Sequence, residues 1–329
     1  RTFATYVLRP FDITGGPLVP ILAVGVILFA FLVNIAGSRS VGLLSLIMAV
    51  VKIGGIALFG IAALWASGFQ FAAASEASPG FDITGFIASV ALAILAFKGF
   101  TTITNSGGEI TDPHRNVGRT IMISIAICVV VYLIVAFAVG SSLTIDQIVA
   151  AKDYSLAEAA APALGNAGFY FTVVLAAVAT ASGVLASVFA VSRMLAMLTD
   201  MKMIPHRHFG MSGPIRSHTL VYTVVIASIL AVFFDLTRIA SLGAFFYLVM
   251  DMIVHWGVLR FMRKEVNANA SIIILALVFD AIVLVAFTSM KLQSDPLIVL
   301  YAAVAITAVF AFQRIYLSRW TAPQPSEEH

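Results

Sequence analysis

Two lysines lie inside long apolar stretches of the sequence, where a charged side chain needs a chemical reason. Lys52 is the only charged residue between Arg39 and Glu76, and fifteen uncharged residues separate Asp82 from Lys98. Buried lysines can exchange protons near neutral pH, and an ammonium group can also take the place of a bound sodium ion. Lys52 is therefore a candidate for proton exchange or for a position that a bound cation would otherwise occupy.

The depth of Lys52 supports this interpretation. Eleven residues separate Lys52 from Val41, at the start of its apolar segment, and at 1.5 Å per residue this is about 16 Å, close to the middle of a bilayer. The alternative is a helix shifted along the chain, so that Lys52 reaches the inner interface. That shift would expose the apolar run 41–51 to water, and we therefore favour a buried Lys52.

Lys98 opens a stretch that is unsuited to a continuous membrane helix. Three glycines and three threonines follow it between residues 99 and 108. Glycines favour a break in the helix, and threonine hydroxyls can satisfy the backbone groups that a break releases. The stretch therefore predicts unwound backbone lining a polar cavity. The alternative is that Lys98 pairs with a structural carboxylate, such as Asp251 or Asp280.

Other titratable residues give weaker signals. Asp251 and His255 are four residues apart and share a helix face, which fits either a proton relay or a hydrogen-bonded pair. Asp280 has no obvious local partner. His206 and His208 lie in a polar connection without a third ligand at metal-like spacing, so we predict contact with lipid headgroups and no metal site. The sequence has no P-loop, HExxH or GxSxG motif, and we predict neither an enzyme nor a cofactor.

Composition places the chain in a membrane. Hydrophobic residues make up 61% and charged residues 11% of the sequence, with a mean hydropathy of +1.03, whereas about a quarter of the residues in soluble domains are charged. The net charge of +3 fits basic cytoplasmic loops rather than nucleic acid binding. The single cysteine, Cys128, excludes a disulfide framework.

Nine apolar segments are each close to the length that spans a bilayer. Their continuous apolar character indicates helices, because apolar and polar residues alternate along the strands of a membrane barrel. The sequence predicts an all-α integral membrane protein, with 1–329 forming a single transmembrane domain. The segments cover residues 17–36, 41–66, 83–108, 119–140, 168–193, 219–235, 239–259, 272–290 and 297–316.

Basic residues predict the orientation of these spans. With the first residue outside, twelve basic residues fall in inside connections: Arg39, Arg115, Arg119, Arg193, Lys202, Arg207, Arg216, Arg260, Arg263, Lys264, Arg314 and Arg319. Five fall outside: Arg1, Arg9, Lys152, Arg238 and Lys291. We therefore expect the N-terminus of the chain outside the plasma membrane and the C-terminus in the cytoplasm.

Several motifs resemble the amino acid–polyamine–organocation (APC) permeases. F-K-G-F-T at residues 97–101 and E-I-T-D-P-H-R-N-V-G-R-T-I at residues 109–121 are similar to the sixth helix of that family and the loop after it. S-R-M-L at residues 192–195, with Pro205 downstream, resembles the end of the eighth helix. Lys52-Ile53 resembles the fifth-helix lysine, and S-L-A-E-A-A at residues 155–160 resembles the connection between the seventh and eighth helices.

The resemblance implies the LeuT-like fold of two inverted five-helix repeats. The nine spans then correspond to family helices four to twelve, so we expect an N-terminally truncated chain that lacks the first three helices. Residues 17–66 would be the remainder of the first repeat and 83–259 the complete second repeat. Two additional helices would follow in 272–316, and 317–329 would form a cytoplasmic tail.

The resemblance also assigns residues to a substrate site. The backbone around Ala96, Phe97, Lys98 and Gly99 would meet the amino group of the substrate, and Phe97 and Phe100 would be aromatic walls or gates. The predicted substrate-binding stretch ends at Thr101, which replaces the glutamate of the family pattern. Lys98 replaces an apolar residue, and its charge should disfavour cationic amines and favour an acidic or neutral substrate.

The resemblance gives a second set of residues a role in coupling. Lys52 would be the proton-linked or sodium-replacing ammonium, and Ala179, Thr180 and Ser182 would line the coupling site. The expected function is secondary active transport of amino acids or related amines by alternating access, with protons as the coupling partner, in symport or exchange. The alternative is a truncated, non-transporting membrane module or a scaffold that depends on a partner.

Overall fold

The computed structural model describes residues 1–13, 15–68, 82–97, 99, 103, 110–151, 153–205 and 214–320, and these residues contain helices and no strand. Eleven α-helices follow in chain order: α1 Thr2–Leu8, α2 Leu18–Ile35, α3 Ser38–Ala66, α4 Ile83–Ala96, α5 Pro113–Ser142, α6 Ile145–Ala150, α7 Ser155–Asp200, α8 Ile215–Phe233, α9 Leu236–Gly257, α10 Ala270–Ser294 and α11 Pro296–Trp320. A short 3₁₀ helix, Arg9–Phe11, follows α1, and a π-helical turn, Val258–Met262, follows α9.

The predicted all-α membrane architecture is confirmed. Within the described residues, eight helices are long and apolar enough to cross a membrane, and they correspond to eight of the nine predicted spans. The third predicted span, 83–108, is represented by α4, a shorter apolar helix of 14 residues. Most of the stretch after α4 lies outside the described residues. The predicted orientation and the assignment of helices to inverted repeats stay predictions.

The helices form two compact units. The first comprises Arg1–Ser78, Gly99–Lys202 and His206–Leu236, and the second comprises Pro79–Lys98, Met203–Pro205 and Thr237–His329. In the first unit, α7 packs along α2, α3 and α8. One buried cluster joins α2, α7 and α8 through Ala23, Ile27, Ala30, Leu185, Val188, Leu220, Val224 and Ala231.

Glycines bring α3 close to its neighbours. A Cβ atom built on Gly55 would lie 2.5 Å from Leu175 Cδ1 on α7, and one built on Gly60 would overlap Ile134 on α5. Helix association in a bilayer depends on van der Waals packing, because lipid is as apolar as the side chains, and small residues allow this close approach. The two glycines therefore fix α3 against both α5 and α7.

The second unit packs α4 against α9, α10 and α11. Phe287 on α10 is fully buried, and its ring centroid lies 4.9 Å from that of Phe245 on α9. Ala88 and Ala91 of α4 are fully buried in the same cluster. The short helix α4 is therefore held by tertiary contacts as well as by its own cap, in which Asp82 accepts hydrogen bonds from the backbone N–H groups of Thr84 and Gly85.

The beginning of the chain differs from the prediction. The sequence pattern predicts a polar lead-in over residues 1–16, but the structure has the helix α1, in which Ala4, Tyr6 and Leu8 are buried. Arg1 donates hydrogen bonds of 2.9 Å to the backbone oxygens of Ala231 and Val232, at the C-terminal end of α8. These carbonyls lack partners within their own helix. Contacts with residues distant in the sequence therefore stabilise α1, a helix that is too short to be predicted from its own sequence pattern.

A kink divides α7 into two parts. Gly165 has φ 68° and ψ −166°, which separates a short first segment, 155–164, from the long helix that contains the predicted span 168–193. The sequence predicts one short helix in the connection 141–167, and the structure has α6 and the first segment of α7. The helix α6 begins with a capping box between Thr144 and Gln147.

Candidate functional site

Lys52 lies on the side of α3 that packs against α7. Met48, Lys52, Gly55 and Phe59 follow at intervals of four, three and four residues and so share one helix face. Met48 packs with Ala181 of α7, Gly55 approaches Leu175, and Phe59 packs against Ala159 and Ala160. Lys52 is half-buried. It therefore lies between the points at which α3 meets residues 181 and 175 of α7.

The predicted coupling-site residues lie on the same part of α7. Ser182 is 2% exposed, and Ala179 and Thr180 are half-buried. The Thr180 hydroxyl donates to the backbone oxygens of Ala176, at 2.7 Å, and Ala177, at 3.2 Å. Because the proton of this hydroxyl is used within its own helix, Thr180 can offer only oxygen lone pairs to a cation or an ammonium.

An apolar cavity lies one helical turn from Lys52. It has a volume of about 410 Å³ and lies between α1, α2, α3 and α7, with Phe3, Val26, Met48 and Val178 among its walls. Its lining is apolar throughout, so it suits an aliphatic or aromatic group. An uncompensated charge would be strongly disfavoured there.

The predicted helix break begins where α4 ends. Phe97 is the C-cap residue, and its N–H bonds to the carbonyls of Ile94 and Leu95, in the last turn of α4. Gly99 has φ 109°, a conformation that side chains other than glycine rarely adopt. The C-terminal end of a helix carries a partial negative charge that favours an ammonium group. Ala96 and Phe97 thus lie at an end that suits a substrate amine.

Several predicted site residues lie outside the described residues. These are Lys98, Phe100 and Thr101, together with the loop histidines His206 and His208. For the same reason, both the predicted polar cavity at Lys98 and the alternative, a pairing of Lys98 with Asp251 or Asp280, stay untested.

Sequence reasoning missed the partner of Asp280. His255 Nδ1 lies 2.8 Å from Asp280 Oδ2, and this hydrogen bond joins α9 to α10. The sequence pattern suggested Asp251 as the neighbour of His255, because the two residues share a helix face. The contact with Asp280 joins residues 25 positions apart. The sequence offered one indication of this contact: His255 and Asp280 both lie in predicted spans that follow each other along the chain.

A second polar cluster lies outside the membrane-spanning segments. Arg9 Nε and Nη2 lie 2.8 and 2.6 Å from Glu158 Oε1, and Nη1 lies 2.7 Å from Asp12 Oδ1. The guanidinium group also lies over the Tyr154 ring, 4.8 Å from its centroid. Burial opposes the charge of Arg9, but its interactions with Glu158, Asp12 and Tyr154 together outweigh burial and raise the pKa of Arg9.

Tyr6 ties α1 to the same region. Burial raises the pKa of Tyr6 to about 12, although a backbone hydrogen bond from Leu156 acts in the opposite direction. Together, Tyr6 and the Arg9–Glu158 pair fasten the first residues of the chain to the short segment of α7 that precedes the Gly165 kink.

Replacement of Glu158 by glutamine should destabilise the first unit by about 1–3 kcal/mol, because Arg9 loses a charged hydrogen-bond partner. The Arg9 and Glu158 side chains are 21% and 30% exposed. Thermal unfolding in detergent would measure the change. Asp12→Asn is the matched control, since Asp12 is 91% exposed and should contribute little. Equal effects of the two substitutions would contradict a specific role for Glu158.

Comparison with known families identifies the family of this chain. The sequence model described as amino acid permease matches residues 2–312. The chain belongs to the amino acid permease family. This membership agrees with the APC resemblance of the motifs at residues 97–121. Together with the eight apolar helices, it makes the chain a multi-pass membrane protein.

The chain is also similar to individual proteins, two of which carry the word transport or transporter in their names. The inner membrane transport protein YbaT of Escherichia coli K12 is 24% identical over 270 residues, which cover 82% of this permease and 62% of the relative. The uncharacterized protein MJ0609 of Methanocaldococcus jannaschii is 28% identical, over 72% of this chain and 54% of its own. The uncharacterized transporter Rv1979c of Mycobacterium tuberculosis is 28% identical, over 71% of this chain and 47% of the relative. The chain spans about half to two thirds of the length of these relatives.

Proposed function

We propose that this permease carries out secondary active transport of amino acids across the plasma membrane by alternating access, in proton-coupled symport or exchange. Family membership over residues 2–312 supports the amino acid substrate class. The observation that carries the coupling mechanism is the position of Lys52, half-buried on the face of α3 that packs against α7. A membrane helix tolerates such a lysine at a cost of about 2.5–3.5 kcal/mol on insertion scales, which favours a functional role.

The proposed substrate site begins at the end of α4. The amino group of the substrate would meet the carbonyl groups around Ala96, Phe97 and Gly99, where the partial negative charge of the helix end favours a cation. Lys98, Phe100 and Thr101 would complete this side of the site. A positive charge at Lys98 disfavours a second positive charge on the substrate, so we propose that neutral or acidic amino acids are preferred.

The proposed coupling site lies in the first unit. Lys52 would bind and release the transported proton, or its ammonium would replace a sodium ion, and Ala179, Thr180 and Ser182 would line the space around it. The hydroxyl oxygen of Thr180 supports this role, because it has lone pairs free to accept from an ammonium group. The proposed orientation has residue 1 outside and the C-terminal tail in the cytoplasm, as the distribution of basic residues predicts.

Uptake into liposomes tests the proposal. The protein in its full natural length is reconstituted, and labelled leucine, glutamate and arginine are added with an inward proton gradient. We expect uptake of leucine or glutamate that exceeds arginine uptake and that a protonophore abolishes. Liposomes without protein are the control. Uptake that equals this control for all three amino acids would favour a non-transporting module or scaffold instead.

A further inference from the structure

A hydrogen-bonded pair of titratable side chains lies inside the membrane-spanning part of the second unit. His255 belongs to the continuous helical stretch Leu236–Met262, and Asp280 belongs to α10; both helices are long and apolar enough to cross a membrane. The distance of 2.8 Å between His255 Nδ1 and Asp280 Oδ2 requires a proton between the two atoms. The contact joins residues 255 and 280 and does not include Lys52, Ala96 or Phe97.

Asp280 lies deep in the apolar part of the unit, and the side chain of His255 is 35% exposed. Asp280 follows Ala270, the first residue of α10, by ten positions, which is about 15 Å along a helix of about 37 Å. Asp280 is 9% exposed. Ile273 and Val283, on the same helix, are buried. An ionisable side chain so far from both helix ends cannot extend to the interface, and such groups mark proton or ion sites by default.

The charge of the pair depends on how many protons it holds. With one titratable proton, a neutral imidazole donates to a carboxylate, and the pair has a net charge of −1. With two, the pair is an imidazolium with a carboxylate, or an imidazole with a carboxylic acid, and its net charge is zero. Because burial in an apolar environment disfavours net charge, the surroundings favour uptake of the second proton.

Neighbouring groups act in the same direction. Asp251 lies one helical turn before His255, and its carboxylate interacts electrostatically with both Asp280 and His255. Among the described residues of the elements packed on α10, α4 contributes no titratable side chain, and α9 contributes Tyr247 besides Asp251 and His255. The sequence of α11 contains Tyr301 and, towards its C-terminal end, Arg314, Tyr316 and Arg319. Lys291 lies eleven residues along α10, and Arg260 of the π-helical turn is exposed. Among the described residues, the charged group one helical turn from His255 is therefore a carboxylate.

We infer that His255 and Asp280 form a proton-binding site within the membrane, separate from Lys52, which takes up a second proton and thereby loses its net charge. Asp251 is the nearby carboxylate through which the proton can reach or leave the pair. The site is complete within the second unit. Proton binding there depends on no particular substrate, so it can be tested without measuring transport.

Nuclear magnetic resonance of ¹⁵N-labelled histidine tests this site in the full chain, reconstituted in phospholipid nanodiscs. The chain has six histidines, and His255→Gln identifies the His255 signal by its loss. Between about pH 5 and 8, the range in which histidine titrates, we expect His255 to change its protonation state. Asp280→Asn should displace the midpoint of this change, because the imidazole then loses its charged partner. Asp146→Asn, at an exposed carboxylate of α6, should leave it unchanged.

Infrared spectroscopy of the wild-type protein covers the case in which the second proton resides on Asp280. Acidification would then produce the carbonyl absorption of a carboxylic acid, and Asp280→Asn would remove that absorption. Two outcomes would overturn the inference: neither His255 nor Asp280 changes protonation state over this range, or the His255 midpoint is the same in the wild type and in Asp280→Asn. Where Asp280→Asn fails to fold, the pH dependence of the His255 signal in the wild-type protein, assigned with His255→Gln, still tests the first outcome.

Discussion

Replacement of Lys52 by alanine should lower proton-driven uptake of amino acids by about 5–150-fold, the range of typical coupling free energies between two sites, and the residual uptake should no longer depend on pH. The expected loss follows from the proposed role of Lys52, because alanine can neither bind a proton nor carry a positive charge. Lys52 lies on the α7-facing side of α3, one turn from the apolar cavity bounded by Met48 and Val178. The measurement is initial uptake of labelled amino acid into liposomes at several external pH values.

Lys52→Arg separates the two roles proposed for this residue. Arginine keeps the positive charge but does not release its proton in proteins. If the ammonium only replaces a sodium ion, Lys52→Arg should retain transport without pH dependence. If Lys52 must release a proton in each cycle, Lys52→Arg should be as inactive as the alanine variant. Lys264→Ala, at an exposed lysine after α9, is the control. Unchanged, pH-dependent uptake by Lys52→Ala would contradict both roles.

Replacement of Gly165 by alanine should destabilise the first unit by about 1–3 kcal/mol. The backbone of Gly165, at φ 68° and ψ −166°, occupies a region that is essentially restricted to glycine. A Cβ atom at this position would meet nothing within 4 Å, so the loss would come from backbone strain and not from a clash. Thermal or denaturant unfolding in detergent would measure the change, which should appear as a lower midpoint.

Gly183→Ala provides the matched control on the same helix. Gly183 also has open space around a Cβ atom, but its backbone is helical. Alanine there should be neutral or stabilise the helix by about 0.5–1 kcal/mol. If Gly165→Ala were as stable as Gly183→Ala, the kink would be tolerant of side chains, and Gly165 would not be the residue that separates the short segment 155–164 from the rest of α7.

The membrane helices could be predicted from the sequence because their signal is local. An apolar run such as 272–290 contains, within itself, both the length and the composition that a bilayer-spanning helix needs. The signal for the end of α4 near Ala96 is also local, because the glycines and threonines that disfavour a helix follow directly in the sequence. The permease motifs at residues 97–121 are contiguous, and they led to the family that comparison then confirmed.

The sequence by itself therefore determined the all-helical membrane class, the family and the presence of Lys52 in an apolar span. The tertiary structure alone decided which groups meet. It ordered α1 through Arg1 and the end of α8, paired Arg9 with Glu158, and placed Asp280 rather than Asp251 at hydrogen-bond distance from His255. Spacing along one helix fixes neighbours on one face, but partners on different helices depend on how the helices rotate and pack, and no local pattern encodes that.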